Sequence, residues 1–282
     1  MANPLEATAD IVSHVSDFAG DDQFLFFAPV CKTWRAVWRG RAAVTRAVTA
    51  DTSASQLLCS AECGLPRRSG VCTAIAGLGR LDLLRAARAL GFPWDKRTCW
   101  RAADGGHLEL LAWARSNGCA WNILTCAGAA KGGHLGVLKW ARENGCPWDE
   151  WTCVNAAKEG HLHVLQYARA LGCPWNAWTC AQAAKGGHLS ALQWCRANGC
   201  PWDEDVCWAA AWGGHLEVLE WARALGCPWN ERTCSGAAER GHLEVLKWAR
   251  ENGCPWDRMT CVHAARGGHL EVLAWARANG CE

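Results

Sequence analysis

The chain has 282 residues, half of them hydrophobic, and its 29 lysines and arginines nearly balance its 27 aspartates and glutamates, giving a formal net charge of +2. This balance argues against the strong positive potential that attracts nucleic acid or anionic lipid. The start of the chain lacks the pattern of a signal peptide, and no apolar run reaches the roughly 18 residues of a membrane-spanning helix. We therefore expect a cytoplasmic or nuclear protein that binds neither nucleic acid nor membrane.

Residues 1–45 differ from the rest of the chain. Apolar residues at helical spacing predict a short helix, an acidic turn at residues 20–22 ends it, and a second apolar segment finishes in VCKTWRAVW. The segment resembles the F-box, which ends in V-C-K-x-W, although Ala7 and Thr8 stand where that family has Leu-Pro. The matching residues are Val15, Phe18, Asp21, Phe24, Leu25, Ala28, Val30, Cys31, Lys32 and Trp34.

The F-box resemblance implies binding to the adaptor of a cullin-RING ubiquitin ligase. The residues expected to make that contact are Val15, Phe18, Phe24, Val30 and Trp34. The alternative is that residues 1–45 are a helical cap over the first repeat, since repeat arrays need a cover at their ends. Both descriptions can hold together.

Residues 46–70 form a transition that contains a degenerate half repeat. Leu57, Gly64 and Pro66 each lie 27 positions before an equivalent residue of the regular part. This register predicts the second helix of a degenerate unit near residues 54–63.

Residues 71–282 contain about eight units with a period of 27 residues. One histidine recurs at this spacing from His107 to His269, and one tryptophan recurs from Trp94 to Trp256. A fixed period of this size indicates a solenoid, in which each unit buries its apolar face against its neighbours.

One unit is predicted to contain two helices. Asp149 is a residue type that caps helix N-termini, which predicts a first helix over residues 150–158, and Gly160 ends it. A second helix is predicted from His161 to Ala170, with Gly172 and a proline after it. We therefore predict an all-α helix-turn-helix solenoid, with Leu162, Leu165 and Ala168 as the apolar stripe of the second helix.

The repeated stretch TCxxAAxGGHLEVLKWARENG resembles the ankyrin repeat, T-P-L-H-x-A-A-x-x-G-H-L-E-V-V-K-x-L-L-x-x-G. The resemblance covers residues 54–282 and implies an ankyrin-like solenoid. Thr152 follows Gly145 by only seven positions, so the β-hairpin of the family's unit of about 33 residues is missing or reduced. The family's binding surface would then be confined mainly to the first helices.

The first helix has a constant face and a variable face. Thr152, Cys153 and the two following alanines recur and should be packed, whereas Trp151, Val154, Asn155 and Lys158 occupy the variable face, which should be exposed. Five of the 20 tryptophans lie on this face, and exposed aromatics are typical of binding hot spots. The predicted target-binding residues are Trp100, Asp104, Lys131, Trp151, Asn155, Lys158, Trp178, Gln182, Lys185, Asp205, Trp208 and Trp212. The alternative is that these tryptophans pack on one another and only add stability.

The cysteine, histidine and arginine columns are interpreted as framework. Equivalent cysteines of stacked helices lie roughly 8–10 Å apart, too far for a disulfide, so we expect buried thiols, with a cross-column pair left open. No CxxC pair supports a zinc site, and we predict no metal. Each arginine lies in the last turn of a helix, where it can cover a loop tryptophan, although a basic ladder could also follow a phosphate backbone.

No catalytic constellation interrupts the repeats, so we expect no enzymatic activity, cofactor or small-molecule substrate. The family resemblances imply a substrate receptor of an F-box type ubiquitin ligase, whose repeats hold a protein target of unknown identity. The alternative is a binding scaffold without a role in ubiquitylation, in which residues 1–45 are only a cap.

Overall fold

The computed structural model describes residues 52–54, 57 and 67–281. The predicted adaptor-binding segment at residues 1–45 lies outside the described residues, as does most of the helix predicted at residues 54–63. Of that helix, Ala54 and Leu57 have helical backbone, and Leu57 is buried. The chain divides into two compact units, Met1–Ala120 and Trp121–Glu282.

The described residues form sixteen α-helices and no strand. The first unit contains α1 (Ser69–Gly77), α2 (Leu81–Ala89), α3 (Lys96–Asp104) and α4 (Leu108–Ser116). The second unit contains α5 (Ile123–Lys131), α6 (Leu135–Glu143), α7 (Glu150–Lys158), α8 (Leu162–Ala170), α9 (Ala177–Lys185), α10 (Leu189–Ala197), α11 (Glu204–Gly213), α12 (Leu216–Ala224), α13 (Glu231–Arg240), α14 (Leu243–Glu251), α15 (Arg258–Arg266) and α16 (Leu270–Ala278). Odd-numbered helices are the first helices of the repeats, and even-numbered helices are the second helices. The prediction of an all-α repeat of paired helices is confirmed.

Helix boundaries follow from local capping. The Asp149 carboxylate accepts a hydrogen bond from the backbone N–H of Trp151 at 3.1 Å, which satisfies one of the free donors at the start of α7. Gly160 has φ +74°, a left-handed conformation that lets the chain turn into α8. The predicted bounds of α7 are confirmed, and α8 begins one residue after the predicted start.

The core consists of small residues on the first helices and branched residues on the second. Within the second unit, each first helix packs against its own second helix and against neighbouring first helices. Cys153, Ala156 and Ala157 are fully buried at these contacts, because small side chains allow close helix approach. On α8, Val164 and Leu165 are buried but Leu162 is only half-buried, so the predicted apolar stripe was wrong by one member.

The arginine and tryptophan columns brace the loops. The Arg169 guanidinium donates a hydrogen bond to the carbonyl oxygen of Cys173 and lies over the indole ring of Trp175, 4.1 Å from its centroid. Trp175 meets Trp194 of α10 edge to face, with ring centroids 5.8 Å apart. Other repeats of the second unit have the same arrangement of arginine and tryptophans. The prediction that these arginines cover loop tryptophans is confirmed.

The histidine column links successive repeats. The ring of His215 packs against Gly187, whose added Cβ would lie 2.5 Å from Nδ1, and Nε2 of His215 lies 3.1 Å from the carbonyl oxygen of Lys185. His161 makes the equivalent hydrogen bond to Lys131 at 3.0 Å. Each of these histidines therefore forms a hydrogen bond with the last carbonyl oxygen of the first helix in the preceding repeat. This is the role expected of a hydrogen-bonding turn residue.

The sixteen cysteines among the described residues are all buried and free of disulfides. Loop thiols of this set hydrogen-bond to the carbonyl oxygen of the N-cap residue before them, as Cys173 does to Asp149 at 3.3 Å. They act as small core residues, as predicted. None of the described helices has the length and apolar character that crossing a bilayer requires.

Candidate protein-binding surface

The variable face of the first helices is only partly exposed. Val154 and Gln182 are buried, with 2% and 5% of their surface accessible, and Asn155 is half-buried with its side-chain amide 3.5 Å from the carbonyl oxygen of Ala127. The prediction that this whole face is free is wrong at these positions. They lie between adjacent first helices, where packing covers both flanks of each helix.

Exposed or half-buried side chains lie at the two ends of the first helices. At the N-terminal end of α7 and α9, Trp151 and Trp178 are 48% and 36% accessible. Tryptophan is a large apolar residue whose exposure to water is unfavourable, and two such residues occupy equivalent positions in successive repeats. This pair is the most exposed aromatic feature of the second unit's first helices.

At the C-terminal end, lysines occupy the equivalent position of three successive repeats. Lys131 and Lys158 are exposed, and Lys185 is half-buried. Lys158 lies 3.4 Å from the carboxylate of Glu159, with 45% of its side chain accessible. Lys158 lies seven positions after Trp151 on the helix, which places the tryptophan and lysine positions about 10 Å apart along the helix axis.

Trp212 occupies the same position in the next repeat and contacts two cations. Nζ of Lys185, on the preceding first helix, lies 3.9 Å from the centroid of its ring. Cζ of Arg240, on the following first helix, lies 4.3 Å from it. Each contact is of the cation–π type, with a stabilisation of about 0.5–1 kcal/mol at an exposed site.

This arrangement concentrates positive charge. Partial burial lowers the pKa of Lys185, and the charges of Lys158 and Arg240 lower it further. Burial also lowers the pKa of His242, a hydrogen bond with the backbone of Trp212 opposes this change, and the charge of Arg240 lowers the pKa further. The cations around Trp212 therefore repel one another, and an anionic group placed among them would relieve that repulsion.

A partly open depression of about 620 Å³ lies beside Trp212. Its walls combine the two cations with histidines and a single carboxylate, Glu239, whose Oε2 lies 3.4 Å from Nδ1 of His263. The lining residues are Lys185, Trp212, Gly213, Glu239, Arg240, His242, Gly267 and His269. The depression is large enough for a side chain or a short segment of a partner.

Trp208 and Asp205 belong to a second, more closed arrangement. Trp208 is half-buried against Gly236, whose added Cβ would lie 2.9 Å from the indole ring. Arg232 forms an ion pair with Asp205 at 2.7 Å and lies over the Trp208 ring at 5.0 Å. These residues pack on Gly236 and Arg232 of the following first helix rather than on another tryptophan of this face.

The remaining predicted residues, Trp100 and Asp104, lie on α3 of the first unit. Arg101 lies 5.4 Å from the Trp100 ring centroid and 3.3 Å from the Asp104 carboxylate, which is 15% accessible. Both residues are half-buried. Among the predicted target-binding residues of the second unit, Lys185 and Trp212 meet directly, whereas Trp151 and Trp178 occupy the opposite helix ends.

Arg240, His242 and Glu239 are not among the target-binding residues predicted from the sequence. A signal for Arg240 was present, because most repeats carry glycine at its position, and Glu159 is the other charged exception. We call the set Trp151, Lys158, Trp178, Lys185, Trp212 and Arg240 the tryptophan–cation surface.

Comparison of the chain with protein-family models gave no match, and comparison with curated proteins gave none either.

Proposed function

We propose that this chain is a protein-binding module that uses the tryptophan–cation surface of its second unit to hold a target. The observation that carries the proposal is the exposure of Trp151 and Trp178 in successive repeats, together with a row of cations that includes Lys185 at the other ends of these first helices. Exposed tryptophan and clustered positive charge together favour a partner segment with both apolar and acidic side chains.

The repeat pattern supports a more specific assignment. The units are similar to ankyrin repeats that lack the β-hairpin, a form in which the first helices supply the binding surface. The N-terminal segment is similar to an F-box. Together these resemblances favour a substrate receptor of a cullin-RING ubiquitin ligase.

Such a receptor carries out no chemistry. It binds its target through the repeats and the ligase adaptor through the N-terminal segment, so that the target is held near a transferase on other subunits. The gain comes from effective concentration, which for linked sites reaches the millimolar range. Affinity for the target then decides which protein is modified.

Target binding can be tested with the full chain and two double variants. In Trp151→Ala/Trp178→Ala, loss of two hot-spot residues of about 2 kcal/mol each should weaken target capture by at least thirtyfold. The matched control is Leu171→Ala/Leu225→Ala, which removes two exposed apolar side chains, 55% and 58% accessible, from the ends of second helices. We expect target proteins to be lost only with the tryptophan variant, at an unchanged melting temperature.

The opposite result would assign the tryptophans to stability. If Trp151→Ala/Trp178→Ala lowers the melting temperature strongly and captured proteins fall in parallel with the folded fraction, the surface is not a binding site. Raised salt should weaken target capture as well, since part of the attraction is between exposed charges.

The ubiquitin ligase role is tested by a different comparison. The full chain should recover the adaptor and a cullin, and a chain lacking residues 1–45 should recover neither while it keeps the target. If neither form recovers the adaptor and target capture still depends on Trp151 and Trp178, the binding scaffold without a ubiquitin role is the correct function.

A further inference from the structure

One repeat of the second unit carries a third cysteine in its core. Cys180 on α9, Cys195 on α10 and Cys200 in the loop after α10 are all fully buried, and their three Sγ atoms lie within 4.8 Å of one another. Among the described residues this is the only cluster of at least three potential metal ligands at that spacing.

The third thiol breaks the repeat pattern at a single position. Other second helices have alanine where α10 has Cys195, including Ala168 in the preceding repeat and Ala222 in the following one. These repeats keep the first-helix and loop cysteines, so each places two thiols in its core. Cys195 therefore converts a pair of thiols into a triad.

The thiols of the triad interact with one another. Hydrogen bonds from Cys180 and Cys195 lower the pKa of the Cys200 thiol, and burial opposes this change. Sγ of Cys200 also lies 3.4 Å from the carbonyl oxygen of Asn176, and the Cys200 carbonyl accepts a hydrogen bond from Arg196 at 2.9 Å. The loop that carries Cys200 is thus held in place on both sides.

Three converging sulfurs match the coordination of a soft metal ion. With metal–sulfur bonds of about 2.3 Å, a trigonal ion needs sulfur atoms about 4.0 Å apart, so a contraction of less than about 1 Å forms the site. Thiolate ligands select soft ions such as Cu(I). Zn²⁺ normally takes a fourth ligand, and the cluster supplies only three groups from the described residues.

We propose that Cys180, Cys195 and Cys200 form a buried three-thiolate site for a soft, three-coordinate metal ion, Cu(I). Binding exchanges the three thiol protons for the metal ion, so protons are released and no electron is transferred. Because the site joins two helices and a loop of one repeat, bound metal stabilises the folded state over the unfolded state.

The test measures copper retained by the reduced full chain under anaerobic conditions, against increasing concentrations of a competing Cu(I) chelator. Wild type should retain one more copper ion per chain than Cys195→Ala, which restores the residue of the neighbouring repeats. Cys195→Ser keeps the side-chain volume and should lose the same ion. Copper should raise the melting temperature of wild type more than that of either variant.

A gain-of-site variant makes the test independent of any loss of folding. Ala222→Cys places a third thiol beside Cys207 and Cys227, the equivalents of Cys180 and Cys200, and should add one retained copper ion. Equal copper retention by folded wild type and Cys195→Ser would overturn the proposal, because paired thiols alone would then account for binding. Retention of Zn²⁺ in preference to Cu(I) would also overturn it.

Discussion

Adding one methyl group at a turn glycine tests whether the histidine column is part of the framework. Gly187 and Gly172 have nearly the same left-handed backbone, with φ +75° and +76°. An added Cβ at Gly187 would lie 2.5 Å from Nδ1 of His215, whereas one at Gly172 would meet nothing within 4 Å. The two alanine substitutions therefore share backbone strain and differ in the histidine contact.

The expected cost follows from these two terms. Left-handed backbone costs a residue with a Cβ about 1–2 kcal/mol, which is the full effect expected for Gly172→Ala. Gly187→Ala must also displace the His215 ring and its hydrogen bond to Lys185, for a further ~0.5–1.5 kcal/mol. We expect Gly187→Ala to lower the free energy of unfolding by roughly 1.5–3.5 kcal/mol in total.

Urea unfolding followed by circular dichroism measures both variants. Because repeat arrays can unfold in more than one step, amide hydrogen exchange at α9 to α12 should accompany it. In a His215→Ala background, the extra cost of Gly187→Ala over Gly172→Ala should vanish. Equal destabilisation by the two substitutions in the wild-type background would refute the assigned contact between His215 and Gly187.

Three further outcomes are expected. Asp149→Ala removes the cap of α7 and should cost about 1 kcal/mol by urea unfolding, whereas Asp149→Asn, which keeps the cap, should cost much less. Trp175→Ala removes a half-buried ring that contacts Trp194 and Arg169 and should cost roughly 2 kcal/mol, whereas Trp178→Ala, at an exposed position, should cost under about 1 kcal/mol by the same measurement. The pKa of His242 is lowered by burial, so the unfolded chain binds this proton at a higher pH than the folded chain. Stability should therefore fall as the pH drops through the ordinary histidine value of 6.5 towards the lower folded pKa, and melting temperatures should show a smaller fall for His242→Gln.

The parts of the fold that repeat were predictable because each unit supplied an independent copy of the same local pattern. A capping residue such as Asp149 and a turn glycine such as Gly160 define helix ends by interactions within a few residues. The framework roles of the arginines and histidines were also accessible, since a residue type that recurs at every unit has a role that every unit needs.

What a single helix could not reveal was the effect of its neighbours. Val154 and Gln182 were assigned to a free face, yet adjacent first helices cover them. The contacts of Trp212 join residues of three successive repeats, and no pattern within one repeat contains them. The thiol triad depends on Cys195, which stands in a column of alanines, and a repeat pattern describes the column rather than its exception.

The hydrogen bonds of the histidine column also bear on synthesis of the chain. His161 and His215 each bond to a residue 30 positions earlier. The end of one first helix is therefore satisfied only after the histidine of the following repeat has been made. A nascent chain leaving the ribosome would therefore lock each repeat only when about half of the following repeat, as far as its histidine, has emerged. Folding in the direction of translation would trail elongation by about one repeat, with only that last stretch exposed to chaperones or to misfolding.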